Sequence, residues 1–318
     1  MDLPSRLDER HLAVYRALPG DILDLTDLPS ARARLAALWR SADPVAPHLG
    51  VTIEDRITSG SGGGSEVMVR LYRPASLAAS APALYWIHGG GLVLGDVSMD
   101  DDACASIAHE LRILVVSVAY RLAPEAPFPQ PLEDCYTGLR WLARSAPELR
   151  VDPAQIAVGG ASAGGGLAAA LCLLARDRNE VTPAFQLLVY PMLDDRNVTP
   201  SSLAIRDPKI WNREANIVGW NAYLDGRAGA EDVSPYAAPA RAVDLSGLPP
   251  AYINVGDLDL FFDEDIAYAQ QLNRSGVPVE LHVYPGAFHG SNNFVSRSRL
   301  AERWTQDERD ALRRALCD

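Results

Sequence analysis

Residues 156–167 read Ile-Ala-Val-Gly-Gly-Ala-Ser-Ala-Gly-Gly-Gly-Leu. A short apolar stretch suited to a strand, Ile156 to Val158, runs into a G-x-S-x-G turn centred on Ser162. An Ala/Leu-rich run, Leu167 to Ala175, follows and suits a helix. Strand, tight turn and helix form the context in which such a turn holds a serine in strained backbone. The small neighbours Gly160, Ala161, Ala163 and Gly164 let strand and helix come close enough to make it. The hydroxyl then stands clear of the sheet, above a helix N-terminus. Alone, the motif divides evenly between a nucleophile and a small-residue turn that only packs a helix on a sheet.

Residues 84–91, Leu-Tyr-Trp-Ile-His-Gly-Gly-Gly, break the tie. An apolar strand leads straight into His-Gly-Gly-Gly, 74 residues before Ser162, as in the oxyanion loops of lipases and esterases. Acyl transfer puts negative charge on the former carbonyl oxygen. Backbone N–H groups must point at it without a side chain in the way, which glycine permits. The N–H groups of Gly90, Gly91 and Ala163 are the expected oxyanion hole, with Gly89 ranked behind them.

A serine nucleophile needs a base, and an acid to orient that base. The chain holds six histidines, of which only His282 and His289 follow Ser162. His282 sits inside the alternating stretch Val279 to Tyr284 and reads as a strand-surface residue. His289 follows in Pro285-Gly286-Ala287-Phe288-His289-Gly290, a turn-rich stretch at the carboxyl end of that strand, where α/β sheets place their sites. It is the expected base. For the acid, the strand Ala251 to Val255 is followed by several carboxylates. Asp257 reads as a turn residue after Gly256, Asp263 as an N-cap or first-turn acid of the next helix, and Asp259 lies between them.

Together these residues resemble the hormone-sensitive lipase-like, family IV-type microbial carboxylesterases of the α/β-hydrolase superfamily, over roughly residues 70–295. Four segments carry the likeness: His88 to Gly91, Tyr120-Arg-Leu-Ala-Pro-Glu125, the turn around Ser162, and the pair Asp259 and His289. The family's Asp-x-x-x-Asp-Glu motif, before a helix containing Tyr-Ala, matches Asp259-Leu-Phe-Phe-Asp263-Glu264 and then Tyr268-Ala269. This makes Asp259 the catalytic acid. Three departures stand near the site: Ala161 where an acid or threonine is common, Leu92 for an aromatic residue, and Ser291 for phenylalanine. The resemblance implies an α/β-hydrolase fold, a mostly parallel eight-stranded sheet with helices on both faces and a helical cap. It implies a Ser162, Asp259, His289 triad with His88 supporting the oxyanion loop. No metal and no organic cofactor is expected. A homodimer through the last strand and helix is compatible with it.

The activity implied is hydrolysis of short-chain carboxylic esters through an acyl-enzyme. An amidase, lactonase or deacetylase with the same triad is the alternative. A non-catalytic binding protein on this scaffold is a further one. The plant gibberellin receptors resemble the family but lack the histidine base, whereas this chain keeps all three triad residues.

Composition sets outer bounds. With 318 residues and 48% hydrophobic content, the chain suits one large α/β domain with an added segment. A net charge of −12 argues against nucleic acid and anionic membrane surfaces as partners; the partner that the resemblance implies is a small-molecule ester. No run reaches the ~18 apolar residues that span a bilayer, and the N-terminal stretch is too charged for a signal peptide. The four cysteines show no metal or redox spacing, so a cytoplasmic location is expected.

Residues 1–47 carry helical periodicity without strand signals; the resemblance implies that they form an N-terminal helical cap segment. Residues 48–318 are the expected catalytic domain, with a second cap insertion within about residues 192–248, where Ile210, Trp211, Ile217, Trp220 and Tyr223 lie. Strands are expected at Val51–Ile57, Val67–Tyr72, Ala83–Ile87, Ile113–Val118, Ile156–Val158, Phe185–Tyr190, Ala251–Val255 and Val279–Tyr284. The first two read as a hairpin with an exposed glycine-rich loop at Ser61 to Ser65. The later strands alternate with helices, which requires a mostly parallel sheet. The proline-rich stretch from Tyr120 to Pro131 reads as a rigid surface connection, with Glu125 able to brace the glycine loop only if folding brings them together.

Overall fold

The computed structural model describes residues 3–20, 22–39, 48–58, 66–295 and 298–317. The glycine-rich loop expected at 61–65 and the last part of the N-terminal segment, 40–47, lie outside the described residues. All eight expected strands form: β1 Val51–Thr58, β2 Val67–Pro74, β3 Ala81–Ile87, β4 Leu114–Ala119, β5 Val151–Ala161, β6 Phe185–Val189, β7 Ala251–Leu258 and β8 Val279–Phe288. They make one sheet in the order β1-β2-β4-β3-β5-β6-β7-β8. The first two pairings, β1 with β2 and β2 with β4, are antiparallel, and every later one is parallel. All strands from β3 onward therefore end at one edge of the sheet, and that edge carries the site.

Side-chain alternation divides the core into two layers. Tyr85, Ile87, Val116, Val158, Leu188 and Ile253 face one side. There they meet α4 (Gln130–Arg144), α6 (Ala163–Arg178) and α9 (Phe262–Arg274). Leu84, Trp86, Val115, Ala157, Leu187 and Tyr252 face the other, against α3 (Asp101–Leu111) and α11 (Arg299–Leu316). Helix α11 shows how the sequence builds such a layer. Ser298 caps it by accepting the Ala301 amide, and Ala301, Trp304, Ala311, Leu312 and Leu316 recur at helical spacing on its buried face. Helix α6 is instead buried on every side from Ala163 to Ala175, as its uniformly small and apolar sequence requires.

Strand β5 starts earlier than expected, at Val151, and two further stretches differ in kind. The run Pro285 to Phe288, read as a turn, continues β8 as a strand. Asp257, read as a turn residue, lies within β7. One irregularity accounts for both. The β7–β8 register shifts between Gly256 and Leu258, Gly286 takes φ +80°, and the Asp257 carboxylate accepts the Gly286 amide at 2.7 Å. A bulge lets Pro and Gly remain inside a strand while re-aiming its end. Outside the sheet, the N-terminal segment forms α1 (Glu9–Ala17) and α2 (Leu28–Trp39), and residues 192–248 hold α7 (Pro200–Ala204) and α8 (Arg213–Tyr223); the short helices α5 (Ala146–Leu149) and α10 (Ser291–Phe294) precede β5 and follow β8. No helix among the described residues is long and apolar enough to cross a membrane.

Candidate active site

Strand β5 ends at Ala161 and α6 begins at Ala163, leaving Ser162 alone in the turn at φ +58°, ψ −122°. A non-glycine residue holds such a backbone only where its surroundings enforce it. The Ser162 amide donates to Val189 O at 2.8 Å, and its carbonyl accepts the amides of Gly166 and Met192 at 3.0 and 2.9 Å. The turn also needs its glycines. A methyl group at Gly160 would strike the Gly164 carbonyl, and one at Gly164 would strike the Ile87 carbonyl.

The bulged end of β8 delivers His289 to the same edge. Its Nε2 lies 2.9 Å from Ser162 Oγ, and its Nδ1 lies 2.8 Å from Asp259 Oδ2. Asp259 follows β7. Its other oxygen accepts the Phe261 amide at 2.9 Å, so both carboxylate oxygens are engaged and the side chain is fully buried. Tyr190 and Phe261 set their rings edge-on to the imidazole, with centroids 4.8 and 5.1 Å away. The other candidate carboxylates point elsewhere. Asp257 binds the Gly286 amide and Arg6, while Asp263 accepts the Ser201 amide at 2.6 Å from the first turn of α9. His282 lies half-buried in β8, beside Glu280 at 2.8 Å.

Strand β3 leads into the glycine loop. Gly90 takes φ +116° and Gly91 φ +60°. The Gly90 carbonyl turns back to accept the Leu94 amide at 2.8 Å. Gly89, Gly90 and Gly91 line the cavity that Ser162 and His289 share. Ala163 is the first residue of α6, and an N–H at that position has no partner within its own helix. His88 is buried, with Nδ1 2.8 Å from Gly89 O and its ring stacked on Tyr120 at 4.3 Å, while Tyr120 Oη donates to His88 O. Burial pushes the His88 imidazole down to about 4, so it stays neutral on the loop it touches.

The cavity opens to solvent and offers about 780 Å³ of empty space counted to its mouth. Ile22, Leu35 and Trp39 from the N-terminal segment form part of its wall, as do Ile210 and Trp211 from the 192–248 segment. Trp211 is held over Gly91 because its Nε1 donates to the buried Asn216 at 3.0 Å, and a side chain on Gly91 would collide with its ring. Several residues that shape this region had no signal in the sequence. Arg32 on α2 donates to Val93 O at 2.8 Å and Ala123 O at 3.0 Å, and its fork meets both Glu125 oxygens at 2.8 Å. Glu125 thus reaches the glycine loop only through Arg32, whose guanidinium holds that carboxyl down to about 2. Asp100 and Lys209 also line the cavity. Lys209 is the chain's single lysine, the one oddity of composition that would have marked it. Among the described residues, no cluster of three His, Cys, Asp or Glu side chains has metal-binding geometry.

A serine, histidine and aspartate in hydrogen-bonded series, at the carboxyl edge of a mostly parallel sheet, define the serine-hydrolase class of site. The profile of the alpha/beta hydrolase fold family matches residues 84–293. The carboxylesterase NlhH of Mycobacterium tuberculosis is 38% identical over 292 residues, covering 90% of this chain and 89% of that protein. An ethyl acetate hydrolase of Pseudomonas putida is 34% identical over 229 residues, covering 71% of each. A solved bacterial heroin esterase superposes with a TM-score of 0.91 at 42% identity, covering 99% of each chain. The chain belongs to the α/β-hydrolase family, in the hormone-sensitive lipase-like branch.

Proposed function

We propose that this chain is a serine carboxylesterase that hydrolyses short-chain esters through an acyl-enzyme. One observation carries the reading: His289 bridges Ser162 Oγ and Asp259 Oδ2 at 2.9 and 2.8 Å. On this reading His289 Nε2 takes the Ser162 proton as Oγ bonds to the ester carbonyl carbon. The carbonyl oxygen becomes an oxyanion among the N–H groups of Gly90, Gly91 and Ala163, each worth about 3–4 kcal/mol to the barrier. As the tetrahedral species collapses, the C–O bond to the alcohol breaks and His289 returns the proton to the leaving oxygen. Water, deprotonated by the same imidazole, then releases the acid and restores Ser162. Asp259 holds Nδ1–H throughout, which fixes the tautomer and stabilises the imidazolium.

Residues 1–47 and part of 192–248 act as the cap in this proposal, because both supply walls of the cavity. A bounded pocket of that kind favours short acyl chains over a lipid surface. Buried, unpaired Cys104, Cys135 and Cys172 fit a reducing cytoplasm. Strand β8 is an edge of the sheet, so a homodimer could form along it and α11.

A series of p-nitrophenyl esters of increasing acyl length, run beside an amide and a lactone, tests the reading. The fastest turnover should fall on the short esters, and folded Ser162→Ala should lose on the order of 10⁴–10⁶ in rate. A variant retaining a tenth of the parent rate would remove Ser162 from the mechanism. Faster turnover of the amide or lactone would reassign the leaving group.

A further inference from the structure

A second, larger cavity adjoins the catalytic one. It opens to solvent, offers about 1940 Å³ of empty space counted to its mouth, and shares Trp39, Met99, Asp100, Ala161, Tyr190 and Asn293 with the first. Ala161, the residue before the nucleophile, lines both cavities, so they adjoin next to Ser162 in sequence.

The lining of the second cavity is strongly one-sided. Five carboxyl groups (Asp96, Asp100, Asp101, Asp102 and Glu308) face one guanidinium, that of Arg309. Arg309 is turned to Glu110 at 3.2 Å, and Arg70 holds Asp101 at 3.1 Å. Asp100 differs from these. Its Oδ2 accepts Trp86 Nε1 at 2.7 Å, and no Arg, Lys or His among the described residues pairs with it. It lines both cavities, with the rings of Trp39 and Tyr190 on the walls they share and that of Trp86 in the second. Asn292 adds a buried Oδ1 that has no hydrogen-bond partner among the described residues. A carboxylate without a counter-charge, set among aromatic rings, is the chemistry that recognises an ammonium group.

We propose that the second cavity receives the alcohol part of the substrate and that Asp100 selects esters whose alcohol carries a quaternary ammonium or protonated amine. The assignment rests on the esterase reading: a short acyl group occupies the smaller cavity, which leaves the larger one for the alcohol. Burial pushes the Asp100 carboxyl up to about 6, so it is ionised at the mildly alkaline pH of an esterase assay.

Acetylcholine and 3,3-dimethylbutyl acetate have the same shape and differ in one positive charge, which makes them the test pair. At about pH 8 the parent should favour acetylcholine in kcat/KM by about tenfold, the size of one partly desolvated cation–π and ion–ion contact. Asp100→Asn keeps an oxygen for Trp86 and should cut that preference by about the same factor, mainly through KM. Tetramethylammonium chloride should inhibit the parent competitively on the neutral ester, beyond the effect of equal sodium chloride. That measurement holds whether or not the variant folds. Equal or faster turnover of the neutral ester, an equal loss on both esters in the variant, or no specific inhibition by tetramethylammonium would each overturn the proposal. p-Nitrophenyl acetate separates the two readings. If the parent hydrolyses it while showing no preference for the cation, only the Asp100 assignment falls. If the parent fails on it, the esterase reading falls and takes the assignment with it.

Discussion

Asp257, Asp259 and Asp263 lie within seven residues of one another, yet each carboxylate has a separate task. Asp259 alone reaches His289. Asp257 closes the β7–β8 bulge through the Gly286 amide, and Asp263 joins α9 to α7 through Ser201. Replacing each with asparagine should therefore give a ranked result in steady-state kinetics. Asp259→Asn should lose on the order of 10⁴-fold in kcat, because an amide favours the wrong imidazole tautomer. Asp257→Asn and Asp263→Asn keep an acceptor oxygen and should act mainly on thermal stability, with kcat within a few fold of the parent. A larger kcat loss at Asp257 or Asp263, in folded protein, would mean that the triad has to be redrawn. The sequence made Ser162 and His289 readable because each stands in a short motif whose backbone meaning is local. It made Asp259 readable only through the family pattern, since three nearby carboxylates look alike until folding aims them. Asp100 and Arg32 were not readable, because nothing in their immediate sequence announces the cavity or carbonyls they meet.

Elements were legible in type and less so in extent. Apolar runs identified all eight strands, but β5 starts at Val151, five residues before the expected Ile156, and β7 and β8 continue through residues that read as turns. Local turn propensity lost there to sheet pairing and a bulge. The polar tie from α2 to the loops beside the site was invisible, because it depends on one long side chain. Arg32 spans from α2 to the loops after β3 and β4, 61 residues away at Val93 and 93 away at Glu125. Its bond to Glu125 is half in water and contributes little, whereas the two carbonyl bonds are shielded. Arg32→Ala should cost about 1–2 kcal/mol of stability and raise KM for short esters, since Leu35 and Trp39 on the same helix line the pocket. Arg32→Lys should not restore either property, because a single ammonium cannot serve two carbonyls and a carboxylate in that fork geometry. Thermal melts and KM values for the three proteins decide this. Unchanged KM in Arg32→Ala would show that α2 holds its place without the arginine.

At the scale of the whole molecule, charge opposes the fold most sharply at the start of α9. The chain carries −12, and two of its acids are buried side by side at the start of α9. Glu264 accepts the amides of Leu193 and Asp194 through Oε1, at 2.8 and 3.1 Å. Asp265 is fully buried, and neither of its oxygens has a hydrogen-bond partner among the described residues. Burial first, then the neighbouring Glu264 and Asp259, hold the Asp265 carboxyl well above the usual range, and burial does the same for Glu264. The consequence for stability has a definite sign. Between an unfolded value near ~3.9 and the raised folded one, the native state keeps a proton that the unfolded chain releases. Stability is therefore lost as pH rises, at up to about 1.4 kcal/mol per pH unit for each such group. Asp265→Asn cannot ionise and removes one of the two contributions. Its advantage over the parent in melting temperature should be small near pH 5 and grow steadily toward pH 8, by roughly 2 °C or more. The same mutant leaves Ser162, His289 and Asp259 untouched, so ester turnover serves as the check that the native fold is the one melting. An advantage that stays constant from pH 5 to 8 would mean that Asp265 is already ionised in the folded protein. Its charge would then have to be met by a partner other than the side chains around it.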